Sequence, residues 1–106
     1  MENLFLPAIY IPEQKVEKFC FKHKVKRLSL YGSVLRKDFS AGSDIDILIE
    51  FDEDQAPSLF SMVALEKELS IILEHRKIDL KTQKELSLYF REAVLKTAYV
   101  IYEKEE

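Results

Sequence analysis

The segment 44–51, with the sequence DIDILIEF, constrains the fold more than any other part of the chain. Side chains alternate between the two faces of a β-strand, so its three isoleucines and its phenylalanine would share one face. A strand face made only of such residues has to be buried, and the segment therefore predicts a strand packed against the core. The opposite face begins with two carboxylates, Asp44 and Asp46.

Asp44 and Asp46 are candidate ligands for a metal ion. Residues two apart on a strand project the same way, and two carboxylates that close repel each other unless a cation neutralises them. Carboxylate oxygens are the ligands that hard divalent cations prefer. The alternative is that Asp44 caps a turn and Asp46 faces solvent. An EF-hand is excluded, because the oxygen ligands and the terminal glutamate of its loop are absent.

A third carboxylate, Asp79, lies on another predicted strand, residues 77–82. An isoleucine and a leucine occupy the other face of that strand. If the strand lies beside the segment 44–51, Asp79 joins the first two carboxylates. It would then act as general base toward an acceptor hydroxyl, or complete the metal site.

Gly32 and Ser33 form a candidate phosphate-binding turn. A strand predicted over 26–31 ends where Gly32 begins, and a short helix is expected over 34–39. Glycine lets the backbone approach an anion, and the first N–H groups of a helix are unpaired. Arg36 follows the turn and would reach phosphate oxygens. The plainer alternatives are a common turn and an exposed arginine.

Helical periodicity recurs from Pro12 to His23, from Leu59 to Leu73 and in the last helix, and Thr82 with Glu85 predicts a capping box. The last helix shows a full apolar stripe, formed by Leu86, Tyr89, Phe90, Ala93, Val94 and Thr97. The order of elements predicts an α/β (α+β) fold, with a small mixed sheet of three to four strands and helices mainly on one face. We expect an N-terminal arm over 1–11, one domain over 12–103 and a frayed tail over 104–106. The arm either covers its own core or contacts a partner.

Composition narrows the class of protein. The chain has 106 residues, enough for one domain, and a net charge of −3, which argues against broad binding of nucleic acid. A basic segment from Lys22 to Arg27 is either the solvated end of a helix or a contact for a partner or nucleotide. Cys20 is the only cysteine, so neither an internal disulfide nor a cysteine-based zinc site can form. We expect no membrane span and a cytoplasmic location.

The spacing of these parts resembles a known family. Gly32-Ser33, ten further residues and then Asp44-Ile45-Asp46 match the G-S-x10-D-x-D signature of the DNA polymerase β-like nucleotidyltransferases. The surrounding sequence is similar to the minimal nucleotidyltransferase (MNT) domains of bacteria and archaea. Many of these resemble antitoxins that silence a HEPN-type ribonuclease toxin by adenylylating one of its tyrosines.

The resemblance implies specific roles. Asp44, Asp46 and Asp79 would hold two Mg²⁺ ions, while Gly32 and Ser33 would cradle the phosphates of a nucleoside triphosphate. Arg36 matches the arginine of the motif. An acceptor hydroxyl would attack the α-phosphate of ATP and release pyrophosphate. The sequence departs from the family at Lys37, where glycine is usual, and that side chain would either crowd the turn or add a cation for the phosphates.

Larger relatives carry a further domain that grips the acceptor. We expect this chain to take its acceptor surface from a partner, namely a HEPN-type toxin, or from a second copy in a homodimer. Two other functions stay open. One is a catalytically weak or inactive module that neutralises its partner by masking it. The other is transfer to a small-molecule hydroxyl.

Overall fold

Seven regular elements follow one another in the computed structural model, which describes residues 9–36, 39–40, 42–52 and 57–105. In chain order they are α1 (Glu13–Lys22), β1 (Val25–Tyr31), β2 (Ile45–Phe51), α2 (Leu59–Ile72), β3 (Ile78–Lys81), α3 (Leu88–Thr97) and β4 (Tyr99–Glu103). Two short 3-10 helices, Gly32–Leu35 and Gln83–Glu85, follow β1 and β3. Within these described ranges, no helix is long and apolar enough to cross a bilayer.

The strands form one mixed sheet in the order β3-β2-β1-β4. β1 pairs antiparallel with β2 and with β4, while β2 and β3 run parallel. This order makes β2 an inner strand with a neighbour on either side. Ile45, Ile47 and Ile49 of β2 are fully buried, as their alternation predicted. The predicted fold class, a small mixed sheet with helices, is confirmed.

α1 and α2 cover one face of this sheet. Val16 and Phe19 of α1 join one buried cluster with Leu65 and Leu69 of α2 and with the isoleucines of β2. Each of these helices places its buried residues three or four positions apart, which is the repeat of one helical face. The main core therefore lies on the side of the sheet opposite the carboxylates.

The basic segment 22–27, which begins at the last residue of α1, forms ion pairs within the fold. Lys22 Nζ lies 2.8 Å from one oxygen of Glu68, and His23 Nε2 lies 2.9 Å from the other. Arg27 Nε lies 3.0 Å from an oxygen of Glu50 on the neighbouring strand. Lys22 and His23 thus tie the end of α1 to α2, and Arg27 ties β1 to β2.

α3 lies on the second face, where a smaller buried cluster forms. Leu86 and Val94 pack there with Tyr31 of β1 and Leu48 of β2. Only these two members of the predicted apolar stripe are buried, whereas Tyr89 is 90% exposed. The second face offers little apolar area, because Asp46, Asp79 and other polar side chains occupy much of it. The stripe therefore projects largely into solvent.

One local prediction is corrected, and another is confirmed on a shorter helix than α3. The short helix expected over 34–39 is a 3-10 turn, Gly32–Leu35, and Arg36 is already extended, with φ −114° and ψ 161°. The capping box of Thr82 and Glu85 exists, since the Thr82 N–H donates to Glu85 Oε1 at 2.7 Å, but it caps the 3-10 helix Gln83–Glu85. The side chain of Ser87 caps α3 instead.

Parts of the predicted layout lie outside the described residues. These are residues 1–8 of the arm, Lys37 and the last residue of the tail. In the described part of the arm, Ile9 and Ile11 pack against the main core. Those two side chains follow the alternative in which the arm covers its own core. The domain boundaries remain a prediction.

Candidate active site

Strand register brings two of the predicted carboxylates together. In the parallel pair of β2 and β3, Asp46 lies directly opposite Asp79, just as Ile45 lies opposite Ile78. Opposed residues on neighbouring strands point to the same side, so both carboxylates project from the second face. The condition set by the sequence, that the strand of Asp79 lies beside that of Asp46, is met.

Asp44, the third predicted carboxylate, lies at the margin of the candidate site. It precedes β2 and is exposed, while its backbone carbonyl accepts a hydrogen bond of 3.5 Å from Ser33 Oγ. That bond joins the glycine turn to the start of β2. Among the described residues, no three His, Cys, Asp or Glu side chains are gathered closely enough to hold a metal ion. The structure therefore brings together Asp46 and Asp79, with Asp44 at the margin.

Gly32 places the turn directly against Asp46. Its φ of +78° lies in the left-handed region, which residues with a Cβ rarely adopt. A Cβ at Gly32 would lie only 2.5 Å from Asp46 Oδ2, far inside van der Waals contact. Tyr31, the residue before, is paired with Asp46 across the sheet. The glycine turn and Asp46 thus lie against each other at the end of β1.

The electrostatics of this site favour a cation. Burial raises the pKa of Asp46 above its usual range, and the neighbouring Asp79, which also shares a hydrogen bond with it, raises it further. The charge of Asp44 adds to this rise, while Lys81 opposes it. Burial, followed by the charges of Asp46, Asp79 and Glu85, raises the pKa of the Tyr31 hydroxyl to about 12. Negative charge is in excess at the second face, which is the condition under which carboxylates recruit a cation.

A divalent cation fits the pair formed by Asp46 and Asp79. Both offer carboxylate oxygens, and Mg²⁺ commonly binds through one or two carboxylates and completes its shell with water and substrate phosphates. Glu50 lies on the same face of β2 but is engaged elsewhere, because Gln83 Nε2 donates to it at 2.8 Å and Arg27 pairs with it. Asp46 and Asp79, with Asp44 beside them, are the residues that would hold the ion.

Arg36 lies at the end of the 3-10 turn, at the rim of a cavity of about 660 Å³ between the turn and α3. Gly32 and Tyr31 line the cavity on one side, and Phe90 and Val94 line it on the other. The cavity shares Gly32 with the candidate site, and its lining combines an apolar wall with the side chains of Arg36 and Lys96. The role of Arg36 toward phosphate remains a prediction.

Two side chains that support the site were not identified from the sequence. Arg76 Nη2 donates to the carbonyl of Ser40 at 3.0 Å and to that of Ser43 at 3.4 Å, and its guanidinium stacks over Phe39. It thereby ties the approach to β3 to the loop before Asp44. No periodic signal marks such a residue, because its partners are more than thirty positions away.

Glu66 of α2 supports the outer edge of the sheet. Its Oε2 accepts a hydrogen bond of 3.0 Å from the N–H of Leu80, the residue after Asp79. β3 is an edge strand, so this N–H has no strand partner on its outer side. The bond holds the strand that carries Asp79 against α2.

With this geometry in place, known proteins can be compared. A family model described as "Polymerase beta, Nucleotidyltransferase" matches residues 14–106. The chain belongs to this nucleotidyltransferase family. A relative from Methanocaldococcus jannaschii, named "Putative protein adenylyltransferase", is 35% identical over 86 residues, which cover 81% of this chain and 89% of the relative. The sequence-based recognition of the family is confirmed.

Solved structures share the fold of this nucleotidyltransferase. A toxin–antitoxin complex with AMP-PNP matches with a TM-score of 0.70 and 20% identity, over 89% of this chain and 75% of that chain. A complex of tri-AMPylated Shewanella oneidensis HEPN toxin with MNT antitoxin matches with a TM-score of 0.63 and 20% identity, over 87% and 70%. At these identities the likeness establishes the architecture around the site, and the prediction of a polymerase β-like fold is confirmed.

Proposed function

We propose that this nucleotidyltransferase transfers AMP from ATP to a hydroxyl of a HEPN-type toxin and acts as its antitoxin. The observation that carries the proposal is the contact between the Gly32 turn and Asp46, with Asp79 paired beside it. A phosphate-binding turn that lies against a pair of carboxylates is the arrangement that metal-assisted phosphoryl transfer requires. The named relative and the AMPylated toxin complex support the choice of AMP and of a protein acceptor.

In the proposed mechanism, Gly32 and Ser33 bind the outer phosphates of ATP, and Arg36 steadies them. Asp44, Asp46 and Asp79 would hold Mg²⁺, which would supply positive charge to neutralise the triphosphate. The acceptor oxygen attacks the α-phosphorus, the bond to the bridging oxygen breaks, and pyrophosphate leaves. Asp79 takes up the hydroxyl proton. Tyr31, the partner of Asp46 across the sheet, lies beside these groups.

The test is mass spectrometry of a HEPN-type protein from the neighbouring reading frame after incubation with Mg²⁺ and ATP. We expect wild type to add the mass of one or more AMP units to a tyrosine. Asp44→Asn combined with Asp46→Asn should abolish the addition. Asp52→Asn is the matched control, because Asp52 pairs with Lys104 at 3.0 Å, away from the site, and should label like wild type. No added mass with wild type would refute the proposal.

A second candidate is a binding module that silences the toxin by masking it. The exposed apolar side chains of α3 favour it, since Leu88 is 78% and Tyr89 90% exposed. An apolar surface of this kind marks protein contacts. Under this alternative the double aspartate variant still binds and silences the toxin. Under the transferase proposal it binds without lasting inactivation.

The remaining alternatives have readouts of their own. Transfer to a small-molecule hydroxyl would consume ATP when a small acceptor is added and leave the protein partner unmodified. A homodimer that supplies its own acceptor surface would show twice the chain mass in light scattering. A cytoplasmic location, expected from the sequence, remains a prediction.

A further inference from the structure

Lys81 lies inside the cluster of carboxylates. Its Nζ is 3.0 Å from Asp79 Oδ1, and both residues are on β3, two positions apart on the same face. In the parallel register, Lys81 lies opposite Leu48, two pairs beyond Asp46 and Asp79 and on the same face. The ammonium group therefore lies next to the pair of carboxylates proposed to hold Mg²⁺.

The surroundings of Lys81 are acidic from several directions. Asp79 is its hydrogen-bond partner, and the charges of Asp46 and of Glu85, from the 3-10 helix after β3, also act on it. Lys81 in turn opposes the repulsion between Asp46 and Asp79. Its side chain is 37% exposed, so it can move away from Asp79 without unpacking the core.

We propose that Lys81 is a built-in counter-ion that holds Asp79 and Asp46 together before a divalent cation binds and releases Asp79 when the cation arrives. An ammonium group and a metal ion compete for the same carboxylate oxygen, because each needs its negative charge. Lys81 is thus a positioning residue that sets the concentration of divalent cation at which the site is filled. The inference rests on the proposed metal site of Asp46 and Asp79.

Removing the charge of Lys81 should change both cation binding and thermal stability. The site gains net negative charge and loses its competitor, so Lys81→Met should bind a divalent cation on the order of 3- to 10-fold more tightly. The metal-free protein should melt at a lower temperature, since the carboxylates then repel each other without compensation. Added cation should restore more stability to the variant than to wild type.

The experiment measures Mn²⁺ binding without nucleotide, from the electron paramagnetic resonance signal of free Mn²⁺, and thermal unfolding with and without Mn²⁺. Lys84→Met is the matched control, because Lys84 is an exposed lysine three positions further on and should leave both readouts at wild-type values. Lys81→Arg keeps the charge and should stay close to wild type. Lys81→Gln is measured alongside Lys81→Met, in case the apolar replacement fails to fold.

The outcomes separate the inference from the proposed function. Unchanged or weaker Mn²⁺ binding by Lys81→Met and Lys81→Gln, with binding by wild type intact, would overturn the counter-ion role and leave the metal site standing. Wild type that binds no Mn²⁺ would overturn the metal site and the inference with it. Tighter binding together with a Mn²⁺-rescued melting temperature supports the inference.

Discussion

Replacing Gly32 with alanine tests the contact on which the candidate site is built. The added Cβ would lie 2.5 Å from Asp46 Oδ2, and the backbone would have to keep φ at +78° with a side chain present. Gly42→Ala is the matched control, because a Cβ there meets nothing within 4 Å and its φ is not in the left-handed region. Both variants remove one glycine, so the effect on the unfolded chain cancels between them.

The magnitude can be worked from these two effects. A left-handed backbone costs an alanine about 1–2 kcal/mol. Pushing the Asp46 carboxylate out of its rotamer costs about 0.5–1.5 kcal/mol more. Gly32→Ala should therefore be less stable than Gly42→Ala by about 1.5–3.5 kcal/mol. For a domain of this size each kcal/mol lowers the melting temperature by about 4–8 °C.

The assay is urea unfolding of the two variants and of wild type, without metal. A second background separates the two causes, since Asp46→Ala removes the clash but not the strained φ. In that background the cost of Gly32→Ala should fall to about 1–2 kcal/mol. The transfer activity of Gly32→Ala in the otherwise wild-type chain should fall by on the order of a hundredfold, because displacing a reacting group by about 1 Å has that effect. If Gly32→Ala unfolds within about 0.5 kcal/mol of Gly42→Ala, the contact is not as described.

Two further predictions concern the residues around that contact. Burial and the nearby carboxylates raise the pKa of Asp46 in the folded protein. The protonated form of Asp46 therefore stabilises the fold below about pH 4, and this contribution to the free energy of unfolding is lost as pH rises through the folded pKa. Without metal, Asp46→Asn should therefore be more stable than wild type at pH 7, and its urea midpoint should depend less on pH above about 4. Arg76→Met removes two hydrogen bonds and a ring contact, and should cost about 1 kcal/mol in urea unfolding while lowering transfer activity through the loop before Asp44.

Both predictions have controls within the chain. Asp52→Asn, at the other end of β2, should keep the pH dependence of wild type. An Asp46→Asn protein whose midpoint falls with pH as steeply as that of wild type would contradict the assigned repulsion. Lys77→Met is the control for Arg76, because Lys77 is its exposed neighbour. Equal activity of these two methionine variants would show that the loop does not depend on Arg76.

Local patterns in the sequence predicted much of the architecture. The alternation in residues 44–51 identified an inner face whose three isoleucines are fully buried, while Phe51 at its end is partly buried. The same reasoning placed Asp79 on the polar face of its strand. Capping chemistry also carried over, since the bond between Thr82 and Glu85 exists, although it belongs to a 3-10 helix. These predictions are confirmed because each depends only on residues within one turn or one strand.

Predictions failed where distant elements compete for one surface. The last helix was predicted to carry a full apolar stripe, yet two members of that stripe, Tyr89 and Phe90, are 90% and 48% exposed. The face under α3 carries Asp46 and Asp79, which leaves little apolar area to cover it. A stripe on a helix shows what the helix can bury, whereas the neighbouring surface decides how much it does bury.

The sequence by itself determined the parts of this nucleotidyltransferase: a glycine turn, carboxylates spaced for one strand face, and strands and helices in a fixed order. Within one strand or helix, the spacing of residues fixes which side chains share a face, so the sequence alone is enough to find these parts. Only the tertiary structure decided that Asp46 lies opposite Asp79, that Gly32 lies against Asp46, and that Lys81 forms an ion pair with Asp79. Those contacts depend on strand order and register, which are set by the packing of the whole sheet.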